Sequence, residues 1–156
     1  SDPERDILML VVVERHHASG NVGLGFVKGM GLKGGAIASS VAHDSHNIIA
    51  AGVADADIRA AVIEIERLGG GAVVIDGGRV LAALPLPVAG LMSERPLAEV
   101  AAASRELTAA AASLGCGLED PMTALSFLAL PVVPELKLTD KGLVDVGEFK
   151  IVGLFE

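Results

Sequence analysis

The chain has 156 residues, 51% of them hydrophobic, with a formal net charge of -8 and a pI near 4.9. That length suits one domain with a real core, but it falls short of the ~250 residues of a complete barrel enzyme. The acidic balance excludes nucleic acid as a partner, because such binding rests on clustered Lys and Arg that displace counterions.

Four short runs come first and read as strands: "ILMLVVVE" (7 to 14), "NVGLGFVK" (21 to 28), "GAIASSVA" (35 to 42) and "NIIAAGV" (47 to 53). Each is built of small or β-branched residues and bounded by Gly, Asn or Asp, the pattern of strands and turns. The period then changes. Ile58, Ala61, Val62, Ile65 and Leu68 recur at helical spacing, which predicts an amphipathic helix capped by Asp55 and stopped by Gly69.

Gly77-Gly78 divides the apolar run 72 to 84 and predicts a hairpin, since both turn positions need positive φ. The next segment, "PLAEVAAASRELTAAAASLG", opens on Pro96 and closes on Gly115, with Leu97, Val100, Ala101, Leu107, Ala111 and Leu114 on one face of a second helix. Asp120-Pro121 marks a third, shorter helix, although "ALSFLAL" itself fits helix or strand. The end, "GLVDVGEFKIVGLFE", returns to strand.

These elements predict an α+β fold over residues 1–156 as one domain: a mixed or antiparallel sheet in a sandwich with two to three helices packed on it. The core has no Trp or Tyr and only four Phe to draw on, so it must be close-packed from Ala, Val, Leu and Ile; nineteen glycines agree with close backbone approach. The single cysteine, Cys116, forms no internal disulfide and is read as a small buried hydrophobe. The longest apolar run, 81 to 92, is too short for a bilayer and carries two prolines, so no membrane role and a cytoplasmic location are expected. The spaced prolines of that run fit a buried or edge connection better than a partner site. The abrupt entry from Ser1 into an apolar strand suggests a piece of a longer chain.

"GMGLKG" (29 to 34) spells G-x-G-x-x-G, but a dinucleotide site needs that turn to open a helix whose amides hold the pyrophosphate. A strand-like run follows instead, so the glycines are read as tight turns. No nucleotide cofactor is expected.

All four histidines, His16, His17, His43 and His46, lie in the first third of the chain, in "ERHH" and "HDSHN". If 7–14 and 35–42 are neighbouring strands, their ends bring these segments together as one polar patch. His43 and His46 share a face only if the chain bends at Asp44-Ser45. On an extended strand Asp44 would instead share a face with His46, and Glu14 with His16, each carboxylate orienting an imidazole. His43, Asp44, His46 and Asn47 are therefore candidate contributors to catalysis. His16, His17, His43 and His46 are candidate metal ligands, although H-x-H and H-E-x-x-H spacings are absent. "PELKLTDKGLVDV" reads as a solvated edge strand turning at Asp140-Lys141-Gly142.

"ERHHASGNVGLGFVKGMGLKGGAIASSVAHDSHNIIAAG" resembles the opening of the C-terminal domain of the bacterial and archaeal adenine deaminase family, in the amidohydrolase superfamily. "GGGAVVIDGGRVLAALPLPVAGLMS", "LEDPMTALSFLALPVVPELKLTDKGLVDV" and "IVGLFE" are similar to the rest of that domain, from about Val11 onward. The resemblance implies a parent hydrolase that converts adenine to hypoxanthine and ammonia, with Mn or Fe (or Zn) held in an N-terminal barrel that is absent from these residues. There a metal-activated hydroxide would attack C6 of the purine. It also implies the barrel as partner, adenine as the parent's substrate and a homo-oligomer, with this chain inactive alone. Two other readings stand beside it: a non-catalytic packing and oligomerisation module, and a stand-alone metal hydrolase built on the histidine patch.

Overall fold

The structure, a computed structural model, describes residues 1–155. Six strands, β1 (Ile7–Val13), β2 (Val22–Lys28), β3 (Ala36–Ser39), β4 (Ile48–Gly52), β5 (Gly71–Asp76) and β6 (Arg79–Pro85), form one sheet in the order β2-β1-β4-β3-β5-β6. Every pairing in it is antiparallel. The helices are α1 (Asp55–Arg67), α2 (Leu97–Ser113) and α3 (Pro121–Phe127), and β7 (Leu136–Thr139), β8 (Gly142–Asp145) and β9 (Lys150–Val152) make a second, small sheet. This is the expected α+β fold, with the antiparallel form of the sheet.

Both faces of the large sheet are covered, which explains why its inner strands carry apolar residues at nearly every position. On one face Ala36, Ala38, Ile48, Ala50, Val73 and Ile75 pack beneath Ile58, Ala61 and Ile65 of α1. On the other, Leu8, Leu10, Val12, Ile37, Ile49 and Val74 meet Leu107 and Ala111 of α2, Leu125 of α3 and Leu138 of β7. The alternation follows the two-residue period of a strand. Each fully buried aliphatic side chain contributes about 1.5–3 kcal/mol from leaving water. Cys116 lies in this second core as a free, buried thiol.

Helices α1 and α2 stop in the same way. Gly69 and Gly115 adopt φ of 72° and 102°. Beyond them the Gly70 amide reaches back to the Ile65 carbonyl and the Cys116 amide to that of Ala111, closing Schellman motifs. The Gly77-Gly78 hairpin turn forms as expected, with φ of 54° and 73°.

Three expectations change. Asp55 does not cap α1: the cap position is Ala54, without a side-chain bond. Asp57 in the first turn is the buried acid, and its carboxylate accepts the Gly78 amide at 2.7 Å, tying the helix to the hairpin. Leu97 is 83% exposed, because α2 meets the core from Val100 onward, with Leu107 and Ala111 its fully buried residues. The "ALSFLAL" ambiguity resolves into helix to Phe127, after which the chain turns; Asp120 caps α3 through the Thr123 amide at 3.0 Å.

The G-x-G-x-x-G turn runs from β2 into β3 with no helix. Its amides are already occupied: the Asp6 carboxylate accepts from Gly29 and Gly31, both at 2.8 Å. A phosphate would have to displace an anion of the chain's own. In β2, Gly23 and Gly25 are buried beneath β7 while Val22, Leu24 and Phe26 stand exposed on the opposite side. The small sheet thus sits on a strand whose inner face carries glycine at two of its three positions, Gly23 and Gly25, with Val27 as the third.

Candidate functional site

The neighbour of β1 on the inner side is β4, not the 35–42 strand. Val13 pairs with Ile48, so "ERHH" leaves β1 at the same end of the sheet from which "HDSHN" enters β4. The two segments meet as expected, through a different strand.

Glu14 organises the first segment. Its carboxylate accepts from the amides of His16, His17 (2.8 Å) and Ser19 (3.0 Å) and from the Ser19 hydroxyl (2.9 Å). These bonds, the Ser19 amide foremost, hold its pKa down at about 2 against the opposing effect of desolvation. Glu14 therefore holds the loop backbone and does not orient the His16 ring. That ring faces the second segment, with Nε2 2.7 Å from the Ser45 carbonyl oxygen; the contact requires the Nε2–H tautomer. His17 is exposed, its ring 6.5 Å from that of His16.

The second segment bends where Asp44-Ser45 allows it. The His46 amide donates to the Ala42 carbonyl at 2.6 Å, and His46 itself takes a left-handed φ of 51°. The bend brings the His43 and His46 rings to 5.4 Å, and His43 also lies 5.2 Å from the Phe127 ring. It removes the extended spacing that would pair Asp44 with His46: Asp44 is exposed, and Nδ1 of His46 is buried with no partner. Desolvation, with His43 and Arg15 nearby, lowers the His46 pKa below 6.5, so its ring is neutral at pH 7.

Two further side chains hold the face together. Arg15 Nε donates to the His46 carbonyl at 2.5 Å and Nη2 to that of Ala89 at 2.8 Å. Burial lowers its pKa, and among the described residues no carboxylate forms an ion pair with it. Asn47 is 3% exposed; its Oδ1 accepts from the Arg15 amide at 3.4 Å and its Nδ2 donates to Asp140 at 3.1 Å. Asn21 Nδ2 reaches the other oxygen of Asp140 at 3.4 Å.

Sequence reasoning missed both Arg15 and Asp140. Asp140 reads locally as an ordinary hairpin-turn acid, and only the docking of β7–β8 beside the histidine turn gives it a role. Arg15 was visible as the second residue of "ERHH", but its two carbonyl partners lie 31 and 74 residues away.

Among the described residues, no group of three or more His, Cys, Asp or Glu is placed to hold a metal ion. The donor set present does not fit a resident metal. What the face offers is hydrogen bonding and charge: a neutral imidazole, a guanidinium held by carbonyls, and the carboxylates of Asp44 and Asp140. Such a surface can orient and neutralise groups presented to it.

Residues 1–150 match the family model of the adenine deaminase C-terminal domain. The chain belongs to this family. An adenine deaminase of Desulfatibacillum aliphaticivorans is 58% identical over all 156 residues, which cover 27% of that protein. One from Dehalococcoides mccartyi is 58% identical and one from Brucella abortus 53% identical, each over 97% of this chain and 26% of the relative. This adenine deaminase C-terminal domain thus spans about a quarter of the length of the curated relatives it matches, and the resemblance read from its motifs is sustained from the first residue onward. No helix among the described residues is long and apolar enough to cross a membrane.

Proposed function

We propose that this domain serves a metal-dependent adenine deaminase, a hydrolase that turns adenine and water into hypoxanthine and ammonia, by forming the face on which the rest of that enzyme closes. Its polar face, made by "ERHH", "HDSHN" and Asp140, is the part turned toward the barrel. The Mn or Fe of the parent, or Zn, belongs to the barrel. When bound it supplies a hydroxide by lowering the pKa of water toward ~7. No step of that chemistry is assigned to residues here.

The observation that carries the reading is the convergence of three distant segments on one polar face, with the Arg15 guanidinium left without a carboxylate. Polar groups held in place but not mutually satisfied suit a surface completed by another body. His43, Asp44, His46 and Asn47 are proposed to position groups at the barrel mouth, with His16 and His17 at the margin. A soluble, cytoplasmic, homo-oligomeric parent in adenine breakdown or salvage completes the reading.

The test is made in a full-length adenine deaminase carrying this domain. Asp44→Ala, His43→Ala and His46→Asn are expected to lower kcat for adenine at least ten-fold, with folding and metal content retained. Unchanged turnover in all three, with normal folding, would overturn the proposed role of the face.

The alternative, a packing and oligomerisation module only, predicts that these variants change assembly or melting temperature and leave turnover per folded enzyme untouched.

A further inference from the structure

On its side of the large sheet, α1 covers β3, β4 and β5, touches β1 and leaves the edge strand β2 largely bare. The part left open is apolar throughout. The register sets Met9 opposite Phe26, Val11 opposite Leu24 and Val13 opposite Val22, and directly opposed residues share a face. Val22, Leu24 and Phe26 are 49%, 52% and 45% exposed. Edge strands are ordinarily blunted with charged side chains, so a shelf of six apolar ones beside a helix marks a surface that another body covers.

The shelf runs without a break into the polar face. A trough of about 360 Å³ follows it between β1 and α1, and at Val13 and Val62 it meets a second, of about 370 Å³, whose lining includes Glu14 and Arg15. A body that closes on the polar face therefore reaches the shelf as well.

The polypeptide outside this domain arrives at the other end. The domain spans about a quarter of its curated relatives and is their C-terminal domain, so most of such a chain comes ahead of it. Ser1, to which that polypeptide would be joined, is fixed where the shelf begins: its hydroxyl accepts the Met9 amide at 2.9 Å and donates to the Gly52 carbonyl at 3.0 Å.

Size decides between that polypeptide and a second copy. Five residues of strand and the width of two strands give roughly 14 by 10 Å, far below the ~800 Å² per partner that a stable dimer buries. A tethered segment needs much less, because its attachment gives it a high effective concentration. About 10 Å is also the width of one helix, and α1 already shows how a helix packs on this sheet.

We propose that the β1–β2 shelf is the docking surface for an apolar segment, one helix wide, of the polypeptide that precedes this domain in the parent chain, lying alongside α1. It rests on the reading above in taking the rest of the parent as the body that closes on the polar face, and it supplies the apolar half of that contact.

The experiment uses a full-length adenine deaminase carrying this domain. Leu24→Cys places a thiol on the shelf, and its reaction with a maleimide is compared with that of the same protein unfolded in urea. Docking should slow the reaction at least about a hundred-fold; a smaller slowing is that of an open strand and would overturn the assignment. Should this variant fail to fold, Val22→Cys on the same face takes its place.

Photo-reactive p-benzoylphenylalanine in place of Phe26 then names the occupant. The expected product has the mass of one chain and joins position 26 to a peptide ahead of this domain. A product of dimer mass would give the shelf to a second copy, and a cross-link confined to this domain, or none, would leave it uncovered; each result overturns the proposal. Neither readout involves turnover or metal, so their failure leaves the deaminase reading standing, and unchanged kinetics in the polar-face variants leave the shelf standing.

Discussion

Asn47 donates through Nδ2 to Asp140 Oδ1 at 3.1 Å, although 93 residues separate the two. One bond thus joins the histidine turn to the tip of the β7–β8 hairpin, and the same amide accepts from the Arg15 backbone. Asn47→Ala leaves a carboxylate and an amide short of a partner and is expected to cost roughly 1–3 kcal/mol in urea unfolding. Asp140→Ala and Asn47→Ala together should cost less than the sum of the two, since both break the same contact. Additive losses would show that the bond contributes little. Asn47→Asp sets two carboxylates against each other and should be worse at pH 7 than at pH 3.

The small sheet depends on the two glycines of the inner face of β2. A Cβ added to Gly23 would lie 1.9 Å from the Thr139 carbonyl oxygen, in backbone and not in a side chain that could swing away. Gly23→Ala should therefore push the β7–β8 hairpin off β2 at a cost of at least about 1–3 kcal/mol, the usual range for overpacking. The six-stranded sheet should survive, because its pairings do not involve that Cβ. Hydrogen exchange separates the two: fast exchange in residues 136–145 with β1, β4 and β5 still protected is the expected result. Uniform protection would show that the hairpin docks by another route.

These two sites mark how far the sequence could be read. Strands, the Gly-Gly hairpin and both helix stops were legible because each is a local effect: a two- or four-residue period, or a glycine with positive φ. The meeting of "ERHH" with "HDSHN" was legible only as an outcome: a 35–42 partner would have joined these ends only in parallel, whereas β4 joins them because it runs antiparallel to β1 and starts where β1 stops. Pairing order was not. That β1 lies beside β4 and not beside the 35–42 strand depends on which faces are buried against α1 and α2, and no local pattern contains that. Asp140 and Leu97 were misread for the same reason: the first gains a role, and the second loses one, only through the docking of distant elements.

Glu14 should titrate far below an ordinary carboxylate. With a folded pKa of about 2 against 4.5, its contribution is fully present above pH 4.5 and is lost as the pH falls toward 2. Because the group lies at the surface, the expected effect is local: the His16, His17 and Ser19 amides lose their acceptor while the core stays folded. Carboxyl carbon shifts through an acid titration read the pKa directly, and the three amides should follow the same curve. Glu14→Gln keeps an acceptor without the charge, so in it the acid step should vanish and the loop should be looser already at pH 7. A Glu14 midpoint near 4.5 would show that the loop is not held by this carboxylate.

His46 should give stability the same sign of pH dependence in a higher window. Its folded pKa lies below 6.5, chiefly because burial disfavours the imidazolium, with the neighbouring His43 and Arg15 adding to the effect. The unfolded chain then binds the proton more readily than the folded one. Stability is unaffected by this group above about pH 6.5 and declines as the pH falls from there through the lowered folded value. A buried Nδ1 with no acceptor is consistent with that direction, since protonation would bury an unpaired N–H. His46→Asn suits the test, because asparagine tolerates the left-handed φ of 51° that this position requires. The variant should lose the decline below about pH 6.5 that is expected of the parent chain in urea unfolding. An identical slope in both would show that His46 does not carry the decline.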